Sequence, residues 1–222
     1  MRATRLSGST LLGRALVTDE VFESGVIGAG QAGLSASYHL QRLGIRHVVL
    51  DANEAPGGAW QHRWDALTMR DVHGVAELPG AARPALDDRR ANVAVPESFA
   101  DYERDHELPV VRPVHVEEVV DEGGVLVVRA GEGFWRARAL VNATGTWTHP
   151  FLPYYPGVEA FEGEQFHAAH YPGPEHFRGK RVLVVGGGAS AVQFPGALRP
   201  SPTRCGRRGA SPSGATKKEV IM

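Results

Sequence analysis

The sequence VFESGVIGAGQAG, residues 21–33, decides the fold of this chain. It predicts a short apolar strand over 21–27 that runs into a glycine-rich turn, followed by a helix to about Leu43. Gly44 then stands where helices commonly end in glycine. The sequence HVVLD at 47–51 is apolar on both faces, which is typical of a buried parallel strand. Together these segments predict one β-α-β unit.

The turn has the spacing G-x-G-x-x-G, and it follows a predicted strand and opens a predicted helix. Gly28 permits the tight turn, Gly30 lets the backbone approach a pyrophosphate, and Gly33 lets the helix pack against the strand. The N-terminus of the helix offers free N–H groups to phosphates. Asp51 ends the next strand, where an acid accepts hydrogen bonds from a ribose. The predicted dinucleotide-binding residues are therefore Gly28, Gly30, Gln31, Ala32, Gly33 and Asp51.

A second glycine turn, GGGASA at 186–191, follows another predicted buried strand at 181–185. Alanine replaces the third glycine, which the fingerprint allows. Two fingerprints in one chain indicate two dinucleotides. The candidate residues here are Gly186, Gly188, Ser190 and Ala191. A turn with incidental glycines is the alternative.

Three strand-like runs at about 113–121, 124–130 and 134–141 are separated by glycine turns, which predicts an antiparallel meander. Pro96 is expected to open a helix that ends at His106, because proline suits the first helical position. The fold class expected is α/β: a Rossmann-like domain with an inserted β-meander, plus the beginning of a second Rossmann unit. Residues 1–20 are expected to be a loose extension.

Composition narrows the function classes. With 42% hydrophobic and 22% charged residues, the chain resembles an ordinary globular protein. It has no apolar run long enough for a membrane span and no clear secretory signal. A net charge of −1 gives no indication of nucleic-acid binding. Because Cys205 is the one cysteine, a disulfide framework and a redox-active cysteine pair are excluded, and a reducing, cytoplasmic location is expected.

Three further segments make the chain similar to the flavin-containing monooxygenases and their Baeyer–Villiger relatives. GGAW at 57–60 resembles the family's segment along the flavin, and ATG at 143–145 resembles its element between the two cofactor sites. FEGEQFHAAHY at 161–171 resembles the family fingerprint FxGxxxHxxxY. The resemblance covers about 21 to 193. It adds Gly58, Trp60, Ala143, Thr144 and Gly145 to the predicted FAD site and His167 to the predicted NADP site.

The resemblance implies that FAD occupies the first β-α-β unit and that NADPH on the second reduces it. Reduced flavin would react with O₂ to give a C4a-hydroperoxyflavin, which transfers one oxygen to a small-molecule substrate. It implies no particular catalytic side chain, and it gives His167 a positioning role near the nicotinamide nucleotide. A homodimer is compatible with it.

Several alternatives compete at individual residues. His167 and His170 could belong to a metal site, but no third ligand stands at a convincing spacing, so no metal is expected. A disulfide reductase is set aside because the cysteine pair is lacking. Arg63 and Arg70 could meet phosphate or flavin oxygens, although a structural or solvated role is preferred. Asp71 could face the flavin. Four tryptophans could stack on the flavin: Trp60, Trp64, Trp135 and Trp147. For Trp135, plain packing is preferred.

The last segment differs from the rest in composition. Six cationic residues stand there against Glu219 alone: Arg199, Arg204, Arg207, Arg208, Lys217 and Lys218. Few large apolar residues accompany them, and Pro195 interrupts the last predicted helix, so 194–222 is expected to be a disordered tail outside the family pattern. A frameshift or gene break would explain it. The predicted organisation is an extension at 1–20, an FAD domain at 21–150, a linker and the start of an NAD(P) domain at 151–193, and the tail. The alternative function is a truncated, inactive fragment that at most binds FAD.

Overall fold

The computed structural model describes residues 17–72, 75, 77–198 and 218–221; for 17–19 and 218–221 it describes the backbone alone. The chain forms two compact units. Among the described residues, the first comprises 17–58, Leu78–Ala82 and Glu97–Thr144. The second comprises the described residues of 59–77, Arg83–Pro96 and those from Gly145 onward.

The first unit is built on a six-stranded sheet with strand order β3-β2-β1-β6-β5-β4. Strands β3, β2, β1 and β6 are parallel, and β6, β5 and β4 form the antiparallel meander. The α/β fold with an inserted meander is thereby confirmed. The strands are β1 (Val17–Ile27), β2 (His47–Leu50), β3 (Val110–Val111), β4 (Glu118–Asp121), β5 (Leu126–Ala130) and β6 (Gly133–Asn142).

The parallel and antiparallel parts of this sheet share one hydrophobic core. Its buried members are Val48, Leu50, Val114, Val128 and Trp135. Trp135 is 5% exposed and belongs to this core, which confirms the predicted packing role. Burial of these apolar side chains supplies the main stabilisation of the sheet.

Helix α1 (Gln31–Arg42) joins β1 to β2, as the sequence predicts. Leu43 is its C-cap residue, and Gly44 follows in the left-handed region with a φ of 70°, donating its N–H to the Gln41 carbonyl. A side chain at this position would be strained, so glycine is the residue that closes the helix.

Helix α2 (Ala91–Asp105) begins five residues before Pro96, so the prediction that Pro96 opens the helix is wrong. A proline inside a helix removes one hydrogen bond, at a cost of about 3 kcal/mol. Ala91, Ala94 and Val95 are buried beside it, and this burial offsets the cost. The helix also ends one residue before the predicted His106.

Three strand predictions also need correction. Strand β1 starts at Val17, inside the predicted loose extension, of which 1–16 lies outside the described residues. Strand β3 was not predicted, because two residues are too short for a periodic signal. Strand β4 begins at Glu118 rather than near residue 113.

The second unit contains a three-stranded parallel sheet with strand order β7-β9-β8. Its strands are β7 (Gln165–Phe166), β8 (Arg181–Val184) and β9 (Lys218–Ile221), and helix α3 (Ala189–Ala197) follows β8. Strands β8 and β9 with helix α3 therefore make a second β-α-β arrangement.

Two elements lie within the predicted disordered tail, 194–222: the end of helix α3 and strand β9. Helix α3 continues past Pro195, because Phe194 and Leu198 are each 1% exposed and burial contributes about 1.5–3 kcal/mol for each such side chain. Strand β9 pairs with both β7 and β8, and the β-branched pair in its sequence, Val220 and Ile221, favours a strand. The rest of the predicted tail, 199–217 and Met222, lies outside the described residues.

Among the described residues, no helix is long and apolar enough to cross a membrane.

Candidate functional site

The first glycine turn lies where three parallel strands end together. In the register of the sheet, Ile27 stands opposite Leu50 on one side and opposite Asn142 on the other. Gly28 donates its N–H to the Leu50 carbonyl at 2.7 Å, and Ala143 donates its N–H to the Ile27 carbonyl at 2.9 Å. The predicted residues Gly28, Asp51 and Ala143 are thereby brought to one edge of one sheet.

Two positions in this turn require glycine for steric reasons. Gly28 has a φ of 101°, and a Cβ there would lie 2.4 Å from the Ala143 carbonyl oxygen. A Cβ at Gly33 would lie 1.8 Å from the Gly28 carbonyl oxygen. Because both obstacles are backbone atoms, a side chain cannot be accommodated by a rotamer change. The turn, the helix and the end of β6 are packed in direct contact.

Gly30, between these two positions, faces open space. A Cβ there would meet no described atom within 4 Å. Gly30 is the N-cap of α1, no described side chain caps the helix, and its first turn, which holds Gln31 and Ala32, has no acidic residue. Uncapped N–H groups and the positive end of the helix dipole suit an anionic group such as a phosphate. Gly58, with a φ of 51°, approaches closely, since a Cβ there would lie 2.9 Å from the Gly30 Cα atom.

Asp51 is buried, and its carboxylate belongs to an ion network that sequence reasoning missed. Its Oδ2 accepts hydrogen bonds from Arg112 Nη2 at 3.1 Å and Nε at 3.3 Å, and its Oδ1 accepts one from Asn53 Nδ2 at 3.1 Å. Arg112 also donates to both carboxylate oxygens of Glu103, at 2.6 and 2.8 Å. Burial lowers the pKa of the Arg112 guanidinium, but Glu103 and Asp51 raise it overall above its ordinary value. The sequence signal that could have pointed to Arg112 is its place directly after the apolar residues Val110 and Val111.

Thr144 is exposed, and its N–H and hydroxyl both donate to Asn142 Oδ1, at 3.2 and 2.9 Å. The end of β6 is thus fixed locally. Trp60 and Gly145, the other predicted FAD residues, belong to the second compact unit.

The second glycine turn, between β8 and α3, has the same kind of backbone as the first. Gly186 has a φ of 145°, and Gly188 is the N-cap of α3. As at α1, none of the described side chains caps the helix. A Cβ at Gly188 would meet no atom within 4 Å in the described part of the chain. Ser190 and Ala191 lie in the first turn of α3, so all four predicted NADP residues from this turn stand at one helix N-terminus.

His167 caps a short 3-10 helix. Its Nδ1 accepts the N–H of Ala169 at 3.1 Å, which is a structural contact. Burial, with a smaller effect of nearby His170, lowers its pKa. The described residues contain no group of three or more His, Cys, Asp or Glu side chains that could hold a metal ion.

Tyr171, which ends the fingerprint segment, lies in an aromatic cluster of the second unit. Its ring contacts Trp64, Phe177 and Phe194 at centroid distances of 6.0, 5.7 and 4.9 Å. Trp64 and Phe194 are stacked at 4.6 Å. Burial raises the pKa of Tyr171 to about 12. The fingerprint tyrosine therefore contributes to packing.

Arg63 lies over tryptophan rings, with its guanidinium carbon 4.2 Å from the Trp147 centroid and 5.4 Å from that of Trp60. Such cation–π contacts are attractive. Its buried Nε has no partner among the described residues, and burial lowers its pKa.

Arg70 forms an exposed ion pair with Asp88 at 2.9 Å, which is the structural role that the sequence favoured. Asp71 Oδ2 accepts a hydrogen bond from the Thr68 hydroxyl at 2.8 Å.

The chain matches the family model described as pyridine nucleotide-disulphide oxidoreductase over residues 26–198. A CzcO-like uncharacterized oxidoreductase of Geobacillus kaustophilus is 30% identical over 76% of this chain and 49% of its own length. Indole-3-pyruvate monooxygenase YUCCA1 of Oryza sativa subsp. japonica is 32% identical over 88% of this chain and 48% of its own length.

Among solved structures, a flavin-containing monooxygenase from Stenotrophomonas maltophilia is 40% identical, with a TM-score of 0.74. The match covers 86% of this chain and 59% of that one. The chain spans about half the length of the curated relatives it matches. The match to the family model covers both glycine turns and the whole first-unit sheet from Val26 onward. The chain thus belongs to the pyridine nucleotide-disulphide oxidoreductase family, and it is similar to flavin monooxygenases.

Proposed function

We propose that the protein is a monooxygenase that uses FAD, NADPH and O₂ to oxygenate a small-molecule substrate. One observation carries the proposal: the first glycine turn leaves open space at Gly30, at the uncapped N-terminus of α1, while a Cβ at Gly28, Gly33 or Gly58 would strike backbone. That is the space a pyrophosphate needs beside a helix N-terminus.

The residues present fit the adenosine diphosphate half of FAD. The first-turn N–H groups of α1 would bind the pyrophosphate, and Gly30 would let it approach the backbone. Asp51, at the end of the neighbouring strand, would accept a hydrogen bond from the ribose. When bound, FAD would supply the redox chemistry by which electrons from NADPH reduce O₂, with one oxygen atom entering the substrate and the other leaving as water. The protein holds the cofactor and limits access of water.

The second glycine turn is proposed to bind the pyrophosphate of NADPH, at the N-terminus of α3. Gly188, like Gly30 in the first turn, would let the pyrophosphate approach the backbone. Ser190 and Ala191 lie in the first turn of α3, whose N–H groups would bind it. The names of the relatives support the reaction class, since those from Oryza sativa and Stenotrophomonas maltophilia are called monooxygenases.

A second candidate function is a fragment that binds FAD without turning over. It is favoured by the second glycine turn, because Gly186, Gly187 and Gly188 are exposed and lack the close backbone packing of the first turn. In such a fragment the first turn would bind FAD, and the second would not deliver electrons to it.

The absorbance spectrum of the purified full chain tests both proposals. With FAD bound, anaerobic NADPH should bleach the flavin absorbance, and isotopically labelled O₂ should then restore it and label a thioether, amine or ketone supplied as substrate. A yellow protein that NADPH leaves unchanged would support the fragment. A folded protein that is colourless and binds no added FAD would overturn both.

A further inference from the structure

The ion network of Asp51, Arg112 and Glu103 is the most buried charged group of the first unit's site. The side chains of Asp51, Glu103 and Arg112 are 4%, 11% and 14% exposed. Arg112 makes four hydrogen bonds within it, two to each carboxylate. With two carboxylates and one guanidinium, the network carries a net negative charge.

Such a network is a costly way to stabilise a fold. Removing ions from water carries a large desolvation penalty, and apolar residues of similar volume often stabilise equally well or better. The sheet around it already has a hydrophobic core that includes Leu50 and Val114. A role in positioning therefore accounts for the network better than a role in stability alone.

The backbone holds Asp51 in the same place as the network does. Asp51 donates its N–H to the Val111 carbonyl at 3.0 Å and accepts the N–H of Val114 at 2.7 Å. These residues flank Arg112, so the segment that supplies the guanidinium is itself tied to Asp51. The carboxylate has little freedom to rotate.

The hydrogen bonds are divided unequally between the two oxygens of Asp51. Arg112 occupies Oδ2 with two N–H groups, whereas Oδ1 accepts one bond, from Asn53. Because each carboxylate oxygen has about two acceptor positions, one position on Oδ1 is still available. This is the oxygen that a ribose hydroxyl would use.

We propose that Arg112 and Glu103 are positioning residues that orient the Asp51 carboxylate toward the ribose hydroxyl of an adenosine diphosphate group. Glu103 holds the guanidinium by both oxygens, and the guanidinium holds Oδ2, which leaves Oδ1 for the ligand. The inference rests on the proposed function, since it presumes that the first turn binds FAD. It predicts that the network determines how well the site distinguishes a ribose from a deoxyribose.

The test compares ADP with 2′-deoxy-ADP as competitors of FAD, by flavin fluorescence, on the full chain freed of flavin. The wild type should bind ADP about tenfold more tightly, as expected for one hydrogen bond to a charged group. Glu103→Gln and Arg112→Lys should reduce this ratio to near one, because neither variant retains an arginine that donates two hydrogen bonds to each of two carboxylates. Arg129→Met, which removes an exposed arginine of the meander, is the matched control and should keep the ratio.

The ratio separates a positioning role from a purely structural one. A variant that is merely less stable would lose affinity for both nucleotides alike and keep the ratio, and that result would overturn the inference. The near-isosteric Glu103→Gln keeps the test valid if Arg112→Lys does not fold. A wild type that binds neither nucleotide would instead overturn the proposed function and this inference with it. A wild type that binds both equally would show that Asp51 does not contact the ribose.

Discussion

The two glycine turns have nearly the same backbone but different surroundings. Gly30 and Gly188 cap their helices with φ and ψ angles of −80° and −173° in one case and −86° and −179° in the other. In the first turn, the Ala143 carbonyl blocks a side chain at Gly28, and the Gly28 carbonyl blocks one at Gly33. In the second turn Gly186, Gly187 and Gly188 are exposed, and Ala191 stands where the first turn has Gly33. The six residues of each motif thus determine the backbone of the turn. How closely the first turn is packed depends in addition on the end of the neighbouring strand β6.

The largest difference is expected at the third position of the two turns. Gly33→Ala would place a Cβ 1.8 Å from the Gly28 carbonyl oxygen, so it should destabilise the protein by about 3 kcal/mol or more and abolish FAD retention. The reverse change in the second turn, Ala191→Gly, should cost only about 1 kcal/mol, the difference in helix propensity. Urea unfolding and flavin content measure both. Equal effects would mean that the two turns are enclosed alike.

The second position should separate binding from stability. Gly30→Ala and Gly188→Ala both add a methyl group into open space, so each should change the free energy of unfolding by no more than about 0.5 kcal/mol. Gly30→Ala should nonetheless lower FAD affinity at least tenfold, because the methyl group fills the pyrophosphate position.

Gly188→Ala is the matched partner of that experiment. It should leave FAD bound and slow the bleaching of the flavin by NADPH. The titration of FAD and the rate of flavin reduction are measured on both variants. If Gly30→Ala bound FAD normally, the assignment of the first turn would be wrong.

Sequence reasoning succeeded where a local pattern determines the structure. The glycine turns, α1, β2 and the meander each follow from residues that are neighbours in the chain. It failed where distant packing decides. Pro96 lies inside α2 because buried side chains beside it offset the lost hydrogen bond. Strand β9 forms because β7 and β8 offer it partners. Arg112 was missed because its role depends on Asp51 and Glu103, which no spacing rule brings together.

Alkaline pH should lower the free energy of unfolding of both units. Burial raises the pKa of Tyr102 in the first unit and of Tyr171 in the second to about 12, from an ordinary value of 10.0. Above pH 10 the unfolded chain releases these protons while the folded chain keeps them, so unfolding becomes more favourable as pH rises. The stabilisation is complete below pH 10 and is lost between pH 10 and about 12. Thermal unfolding across this range measures it, and a flat profile would contradict it.

The smallest expected difference distinguishes these two tyrosines. Tyr102 donates its hydroxyl to the Pro79 carbonyl at 2.7 Å, whereas the buried Tyr171 hydroxyl has no partner within the part of the chain that the structure describes. Tyr102→Phe should therefore cost about 1 kcal/mol of unfolding free energy. Tyr171→Phe should be neutral or slightly stabilising, because it removes an unsatisfied polar group. Urea unfolding of the two variants decides it, and a larger loss for Tyr171→Phe would reveal a partner for its hydroxyl.

The closure of the first turn by Ala143 has a consequence for the order of events during synthesis. Strand β1, α1 and β2 are neighbours in sequence and can assemble early, but the carbonyl that packs on Gly28 belongs to the end of β6. The proposed pyrophosphate site is therefore incomplete until the meander has been synthesised. Pairing between strands so distant in the chain is slow compared with local contacts. If the first turn binds FAD as proposed, a nascent chain would bind it only after β6 has emerged, and cofactor binding would be a late step of folding.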